Sequence, residues 1–86
     1  MSDLDARFTD AQARVKTLTS RPSNDDLLKL YALFKQGSVG DVRGSRPGRL
    51  AFKDRAKYDA WAGQKGMSAE AAKEAYIAHV DRLLGG

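Results

Sequence analysis

Four stretches of the sequence space their apolar residues at steps of three and four, which is the repeat of one face of an α-helix. The first stretch carries this spacing at Leu4, Phe8, Ala11, Val15 and Leu18. We find no stretch that alternates apolar and polar residues as a half-buried β-strand does. The pattern therefore predicts an all-α fold.

Proline and capping residues divide the first two helices. Pro22 ends the first helix, because proline disfavours helical geometry in the residue before it. Ser23 is a favourable N-cap for the second helix, and Asp26 stands three residues later as in a capping box. The second helix then presents one apolar face, formed by Leu27, Leu30, Tyr31 and Phe34.

The third and fourth helices are predicted in the same way. The third begins near Lys53 or Asp54 and ends at Gly66, and its Trp61 is expected in the core. Ser68 is the predicted cap of the fourth helix, whose inner face carries Ala72, Tyr76, His79, Val80 and Leu83. Residues 39–52 show no clean period and contain three glycines and Pro47, so they predict a long connection. The expectation is a four-helix bundle with one long crossover.

Length and composition restrict the class of protein. A chain of 86 residues has room for one domain, and the absence of cysteine excludes disulfides and thiol catalysis. The acidic start of the chain is not expected to be a signal peptide, and no apolar run approaches the roughly 20 residues that cross a bilayer. We therefore expect a soluble intracellular protein without stable membrane insertion.

Positive charge is concentrated in the middle of the chain. Residues 29–57 carry eight basic residues against Asp41 and Asp54, while the segments on either side each carry a net charge of −1. Such concentration suggests a polyanionic partner, which includes phosphates, nucleic acid and anionic membrane surfaces. A solvated face that happens to be basic explains the charge alone equally well.

Catalytic and metal-binding patterns are weak. His79 is the single histidine, without a cysteine or second histidine to complete a metal site, and we interpret it as a helix-surface or boundary residue. No serine stands in G-x-S-x-G, and the glycine-containing segments match neither a P-loop nor a dinucleotide fingerprint. The sequence predicts no enzyme, no metal and no cofactor.

Two pairs of residues suggest an anion site. Tyr31 and Lys35 are four residues apart and share a helix face, so a hydroxyl and an ammonium group could hold a phosphate together. Lys53 and Lys57 repeat the spacing, and like charges so placed suggest a shared anion. Taken separately, each pair is more simply explained as ordinary surface side chains.

Several motifs, in order, give the sequence a close resemblance to the acyl-CoA-binding protein family. Residues 31–41, YALFKQGSVGD, resemble the family's Y-x-x-[YF]-K-Q-[AG]-[TS]-x-G-D. They are followed by RPG at 46–48, AKYDAW at 56–61, KGMS at 65–68 and AYI at 75–77. The resemblance covers about residues 4–84, and the motifs together are highly specific.

The resemblance implies a single acyl-CoA-binding domain over residues 1–86, folded as an up-down-down-up bundle with the ligand in an open bowl. It implies that the ribose 3′-phosphate is held by Tyr31, Lys35 and Lys57 and that Tyr76 contacts the adenine. Further residues near the ligand would be Lys16, Phe34 and Lys53, with additional contacts from Phe8 and Ala11. Phe34 departs from the pattern, because many members have a second tyrosine there, and Tyr58 replaces a common tryptophan.

The function implied by the resemblance is high-affinity binding of medium- to long-chain fatty acyl-CoA esters, as a cytoplasmic carrier or buffer in lipid metabolism. The ligand would be the acyl-CoA alone, with a monomeric protein and no nucleic acid. The basic segment leaves open a nucleic-acid-binding helical module. A membrane-surface or protein-interaction bundle is a further alternative.

Overall fold

The computed structural model describes residues 3–85 and contains, within them, four α-helices and no strand. The helices are α1 (Asp3–Arg14), α2 (Asn24–Ser38), α3 (Phe52–Ala62) and α4 (Ala69–Leu83), and a turn of 3₁₀ helix (Val15–Thr17) follows α1. Met1, Ser2 and Gly86, which the predicted domain includes, lie outside the described residues. The all-α prediction is confirmed.

Both predicted serine caps are present. The Ser23 hydroxyl accepts a hydrogen bond of 3.1 Å from the backbone N–H of Asp26 at the start of α2. Ser68 accepts one of the same length from Ala71 at the start of α4. Each cap satisfies a backbone donor that has no partner inside its helix, which is why both helices begin where the sequence predicts.

Two boundaries differ from the sequence prediction. The α-helical part of the first stretch ends at Arg14 rather than continuing to Leu18, because the chain tightens into 3₁₀ geometry, with the Thr17 hydroxyl donating to the Arg14 carbonyl at 2.7 Å. The third helix starts one residue early and stops at Ala62, before the predicted end at Gly66. Residues 63–66 form turns instead, and Gly66 has a φ of 92°, which favours glycine.

The contacts between helices give their directions. Phe8 meets Tyr76 and Arg14 meets Asp81, so residue numbers rise together and α1 runs parallel to α4. Between α2 and α4 the order reverses. Asp26 lies beside His79, while a side chain at Gly37 would meet Lys73. These two helices are therefore antiparallel.

The same reasoning shows that α2 and α3 are parallel. Lys57 lies over Tyr31, and Trp61 lies beneath Lys35 one turn further along both helices. Together with the antiparallel packing of α2 and α4, this gives the predicted up-down-down-up arrangement. The long crossover, residues 39–51, is what returns the chain to the start of a parallel helix.

The core is built mainly from three helices. Its clustered buried residues come from α1, α2 and α4: Phe8, Ala11, Leu30, Leu33, Tyr76, Ile77 and Val80. The third helix packs against α2 and contributes Trp61, which is 8% exposed, as expected of a core residue. Because α3 is attached along one side, a groove remains between α2 and α3.

A buried amide connects the crossover to the turn before α4. Gln36 donates from Nε2 to Asp41 Oδ1 at 2.9 Å and to the Met67 carbonyl at 2.8 Å. Asp41 Oδ1 also accepts from the backbone N–H of Gly66 at 2.9 Å. These donors, first Gly66 and then Gln36, lower the pKa of Asp41. The carboxylate therefore stays ionised and holds two chain segments together.

Two aromatic side chains of α3 order the crossover. Trp61 donates from Nε1 to the Gly40 carbonyl at 2.7 Å, and the Tyr58 hydroxyl donates to the Gly44 carbonyl at 3.0 Å. Both contacts cross from helix to connection, so the crossover is held against α3 although it has no regular structure.

His79 is buried, which corrects its interpretation as a surface or boundary residue. It is 8% exposed, with Nδ1 3.0 Å from Arg82 Nη2 and Nε2 3.2 Å from Asp26 Oδ1, the latter without the alignment of a hydrogen bond. Burial lowers the pKa of His79, Arg82 and Lys29 lower it further, and Asp26 opposes them. A neutral imidazole accordingly fills the space between the start of α2 and the end of α4.

Replacing Gln36 with leucine should remove the amide contacts and leave the Met67 carbonyl without its donor. The variant loses one hydrogen bond to a carboxylate, worth about 1.5–3 kcal/mol, and one to a carbonyl, worth about 0.5–1.5 kcal/mol, but it also removes the buried Gln36 Oε1, which has no partner. The free energy of unfolding should therefore fall by about 1–3 kcal/mol. Urea denaturation measures the change. Gln64→Leu is the matched control, since Gln64 is only partly buried and makes both of its described hydrogen bonds through the backbone. Equal effects of the two variants would contradict the proposed role of Gln36.

Candidate functional site

The parallel packing of α2 and α3 brings together residues that are distant in sequence. Lys57 Nζ lies 5.5 Å from the centroid of the Tyr31 ring, and Lys35 Nζ lies 4.9 Å from that of Trp61. Each helix supplies two residues four positions apart, so the contacts repeat after one turn. Cations at these distances from aromatic rings are attracted to the ring faces.

A first cavity, of about 340 Å³, lies between the N-terminal halves of α2 and α3. We call it the apolar cavity, because aliphatic and aromatic carbons form much of its wall. Its volume falls in the range of about 300–1,000 Å³ that is usual for small-molecule sites. The lining residues are Arg21, Asn24, Leu27, Leu28, Tyr31, Phe52, Lys53, Ala56 and Lys57.

A second cavity, of about 330 Å³, lies further along α3 beside the crossover. We call it the aromatic cavity, since three rings and a lysine dominate its wall. It is lined by Tyr31, Pro47, Asp54, Lys57, Tyr58 and Trp61. Tyr31 and Lys57 therefore belong to both cavities. A molecule lying across them would meet aliphatic side chains with Arg21 and Lys53 on one side, and the rings of Tyr58 and Trp61 with Asp54 on the other.

The lysines of this site keep their charge uncompensated. Among the described residues, no ion pair involves Lys35, Lys53 or Lys57, and Lys53 and Lys57 are exposed. Arg46 differs, because it makes a bidentate contact with Asp59 at 2.8 and 2.7 Å, which lowers the pKa of Asp59 and raises that of Arg46. Part of the basic segment is thus structural, and the lysines remain available to an anion.

Four of the predicted site residues lie elsewhere, in or against the core. The Phe8 ring stacks on Phe34, with centroids 6.1 Å apart, and meets Tyr76 edge-on at 5.2 Å. Ala11 is fully buried, and burial raises the pKa of the Tyr76 hydroxyl. None of the four lines either cavity, so their contact with a ligand stays a prediction.

Lys16 stands apart from the other predicted residues. It is exposed on the 3₁₀ turn after α1, and no described contact joins it to the two cavities. Lys53 and Lys35 differ in position as well, since Lys53 lines the apolar cavity and Lys35 is half-buried over Trp61. The structure therefore gathers Tyr31, Lys53 and Lys57 at the cavities and leaves Lys16 outside them. Lys35 lines neither cavity, but it lies over Trp61, which lines the aromatic cavity.

Sequence reasoning did not identify several residues of the apolar cavity, notably Leu28, Phe52 and Ala56. Leu27 and Leu28 are adjacent, so the apolar face of α2 is wider than a core stripe needs, and this was the available signal. The sequence predicts Phe52 as part of the connection, whereas it is the first residue of α3. Among residues 3–85 there is no cluster of three or more side chains suited to a metal ion.

Known proteins are similar to this chain in both sequence and fold. The family model described as Acyl CoA binding protein matches residues 5–80. Acyl-CoA-binding protein homolog 1 of Caenorhabditis elegans is 53% identical over 77 residues, which are 90% of each chain. The acyl-CoA-binding protein homolog of Drosophila melanogaster is 53% identical over 78 residues, 91% of each chain.

Solved structures agree with the sequence relatives. The crystal structure of Oryza sativa acyl-CoA-binding protein 2 superposes with a TM-score of 0.92 at 44% identity, covering 95% of this chain and 89% of that one. The protein from Moniliophthora perniciosa gives 0.88 at 38% identity, covering 99% and 82%. These relatives are named as binding proteins, which agrees with the prediction that the chain is not an enzyme. On this similarity of sequence and fold, the chain belongs to the acyl-CoA-binding protein family.

Proposed function

We propose that the protein binds fatty acyl-CoA esters of medium to long chain and carries them. The observation that supports this most directly is the meeting of the apolar and aromatic cavities at Tyr31 and Lys57. An acyl-CoA has an apolar tail and a highly charged nucleotide, so its binding site needs an apolar surface next to one that binds phosphate and a purine. The names of the relatives point to the same ligand.

The apolar cavity is the proposed site of the acyl chain. Leu27, Leu28 and Ala56 offer carbon surface there, and Phe52 stands at the same wall. Burial of a methylene group contributes about 0.8 kcal/mol, so even a partly covered tail supplies much of the affinity. High affinity for long chains follows from this arithmetic.

The ribose 3′-phosphate is assigned to Tyr31, Lys35 and Lys57. A phosphate beside a lysine makes charge-assisted hydrogen bonds, which are roughly twice as strong as neutral ones. The absence of ion pairs at these lysines among the described residues supports the assignment, because no carboxylate partner has to be displaced. Lys53 is proposed to add positive charge at the same groove.

The adenine is assigned to Tyr76, with Phe34, Phe8 and Ala11 beside it and Lys16 supplying charge nearby. Phe34 is the member of the aromatic cluster that is only half-buried, and Phe8 connects it to Tyr76. A flat purine can stack on an exposed ring, and Phe34 is the ring of this cluster that is partly exposed, since Phe8 and Tyr76 are buried. Phenylalanine at position 34 means that this contact is made without a hydroxyl group.

The biological role we infer is that of a monomeric cytoplasmic carrier in lipid metabolism, without nucleic acid as a partner. The absence of cysteine agrees with a reducing compartment. Among the described residues, no helix is long and apolar enough to span a membrane. A nucleic-acid-binding module would show affinity that falls steeply with salt and does not depend on an acyl chain.

Calorimetric titration should separate the contributions of tail and head group. Because each buried methylene contributes about 0.8 kcal/mol, free CoA should bind on the order of a thousandfold more weakly than palmitoyl-CoA. Free palmitate should bind little, since it lacks the nucleotide. Equal affinity for palmitate and palmitoyl-CoA would contradict the assignment of the cationic groove.

Replacing Lys57 with methionine tests the phosphate assignment. The loss of a charge-assisted contact should weaken palmitoyl-CoA binding by about 10- to 100-fold. The same variant should bind 3′-dephospho-palmitoyl-CoA about as well as the unmodified protein does, because that ligand lacks the phosphate in question. Lys29→Met is the control, since Lys29 is exposed on α2, lines neither cavity and carries the same charge. Equal losses in both variants would indicate a general electrostatic effect.

Replacing Ala56 with phenylalanine tests the tail assignment by filling the apolar cavity. Palmitoyl-CoA affinity should fall about tenfold or more, because several methylenes lose their site. Acetyl-CoA binding should change little. Ala78→Phe, on the exposed face of α4, controls for the added ring. If the Ala56 variant loses acetyl-CoA and palmitoyl-CoA affinity equally, the tail lies elsewhere.

A further inference from the structure

Two large apolar side chains project into solvent at the end of the crossover. Leu50 is 91% exposed and Phe52 is 75% exposed, whereas Val39 and Leu84, the other exposed large apolar residues described, are each 38% exposed. Single exposed apolar residues are common on protein surfaces and need no explanation. Two residues this exposed, separated by Ala51 alone, form a local apolar projection that the core does not use.

The backbone holds this projection in place. The N–H of Ala51 donates to the Gly48 carbonyl at 3.1 Å, which closes a turn around Leu50. The Ala51 carbonyl then accepts from Arg55 at 2.8 Å in the first turn of α3. The exposure of Leu50 and Phe52 is therefore built into an ordered turn and a helix start.

Basic side chains surround the same projection. Arg49 and Lys53 flank it directly and are exposed. Across residues 43–57 the sequence carries six basic residues and one acidic residue, Asp54. An apolar projection surrounded by basic residues is typical of surfaces that bind anionic lipid. On such surfaces the apolar side chains enter the boundary between headgroups and acyl chains, and lysine or arginine contacts the charged headgroups.

The projection also adjoins the proposed acyl site. Phe52 and Lys53 line the apolar cavity as well as the exposed surface. An acyl chain that enters the apolar cavity at Phe52 and Lys53 would pass the segment formed by residues 49–53. A surface applied to that turn would accordingly lie next to the cavity.

We propose that residues 49–53 form a docking surface for anionic lipid bilayers, with Leu50 and Phe52 entering the headgroup region and Arg49 and Lys53 contacting lipid phosphates. Docking here lets an acyl chain pass between the bilayer and the apolar cavity with little exposure to water. This role rests on the proposed function, whereas the docking itself is independent of it. A second copy of this chain fits the surface poorly, because it would bring like charges together.

The expected docking is reversible. Near an anionic surface each lysine or arginine makes a contribution comparable to that of a buried methylene, and a few such groups give weak binding that salt reduces. No described helix could span the bilayer, so the contact is confined to its surface. Binding should therefore require anionic lipid and should fall as the salt concentration rises.

A fluorescent label tests the depth of the contact. The sequence contains no cysteine, so a Leu50→Cys variant accepts an environment-sensitive thiol label at one position. On mixing with vesicles of equal parts phosphatidylcholine and phosphatidylglycerol, its emission should shift to the blue, and pure phosphatidylcholine should produce no shift. A label at Leu84→Cys, on the exposed end of α4, should report no change with either vesicle. A blue shift of both labels, or of neither, would overturn the proposal.

Vesicle flotation of the ligand-free, unlabelled protein gives the energetic test. Leu50→Ser should lower binding to the anionic vesicles about tenfold, through loss of apolar burial. Arg49→Glu should lower it at least about as much, because a favourable charge is replaced by a repelled one. Leu84→Ser should bind as the unmodified protein does. Unchanged binding of Leu50→Ser would contradict docking through this turn.

Titration in solution keeps this proposal distinct from the proposed function. Leu50 lines neither cavity, so Leu50→Ser should bind palmitoyl-CoA in solution with unchanged affinity. It should, however, withdraw palmitoyl-CoA from the anionic vesicles more slowly. Intact solution binding without any vesicle docking would refute the docking surface alone. Vesicle docking by a protein that does not bind palmitoyl-CoA would refute the carrier function and leave the docking surface standing.

Discussion

The buried amide of Gln36 is the contact on which the relative placement of the helices depends. It joins the end of α2 to Asp41, where the crossover starts, and to Met67, just before α4. Asp41 in turn accepts from Gly66, in the turn that follows α3. The C-terminal ends of α2 and α3 are thereby fixed to the same polar cluster. Because α2 and α3 also pack side by side, helices joined at this end run parallel, which is the direction that the contact of Lys57 with Tyr31 shows.

In this arrangement α3 buries less apolar surface in the core and leaves a cavity open beside α2. In a conventional four-helix bundle each helix buries one face against two neighbours. Here α3 packs on α2, contributes Trp61 to the buried residues, and leaves Leu28, Phe52 and Ala56 around an open cavity. The crossover offsets part of this loss, because Tyr58 and Trp61 bond to its carbonyl groups. Hydrogen bonds to the backbone thus hold a helix whose apolar face is kept free for a ligand.

Local signals predicted most of the fold and part of the site. Apolar spacing and the serine caps located α2 and α4, since both effects act within one helix. The pairing of Tyr31 with Lys57 required the resemblance, because their separation of 26 residues includes the whole crossover. Phe52 was missed for a related reason. The position of Phe52 at the cavity depends on where the crossover places the start of α3, and hydrogen bonds between residues distant in sequence fix that placement.

The charge of the basic segment shows why composition alone could not identify the ligand. Arg46 is neutralised by Asp59, and its function is to hold the crossover on α3. Lys29 lines neither cavity, and burial, Arg82 and Lys29 together lower the pKa of His79 on α4. Lys35 and Lys57 alone lie over aromatic rings at the groove. A net charge of similar size spread as a stripe would suit a long polyanion. When the same charge is concentrated beside an apolar cavity, it is complementary to a ligand that is anionic at one end and apolar at the other.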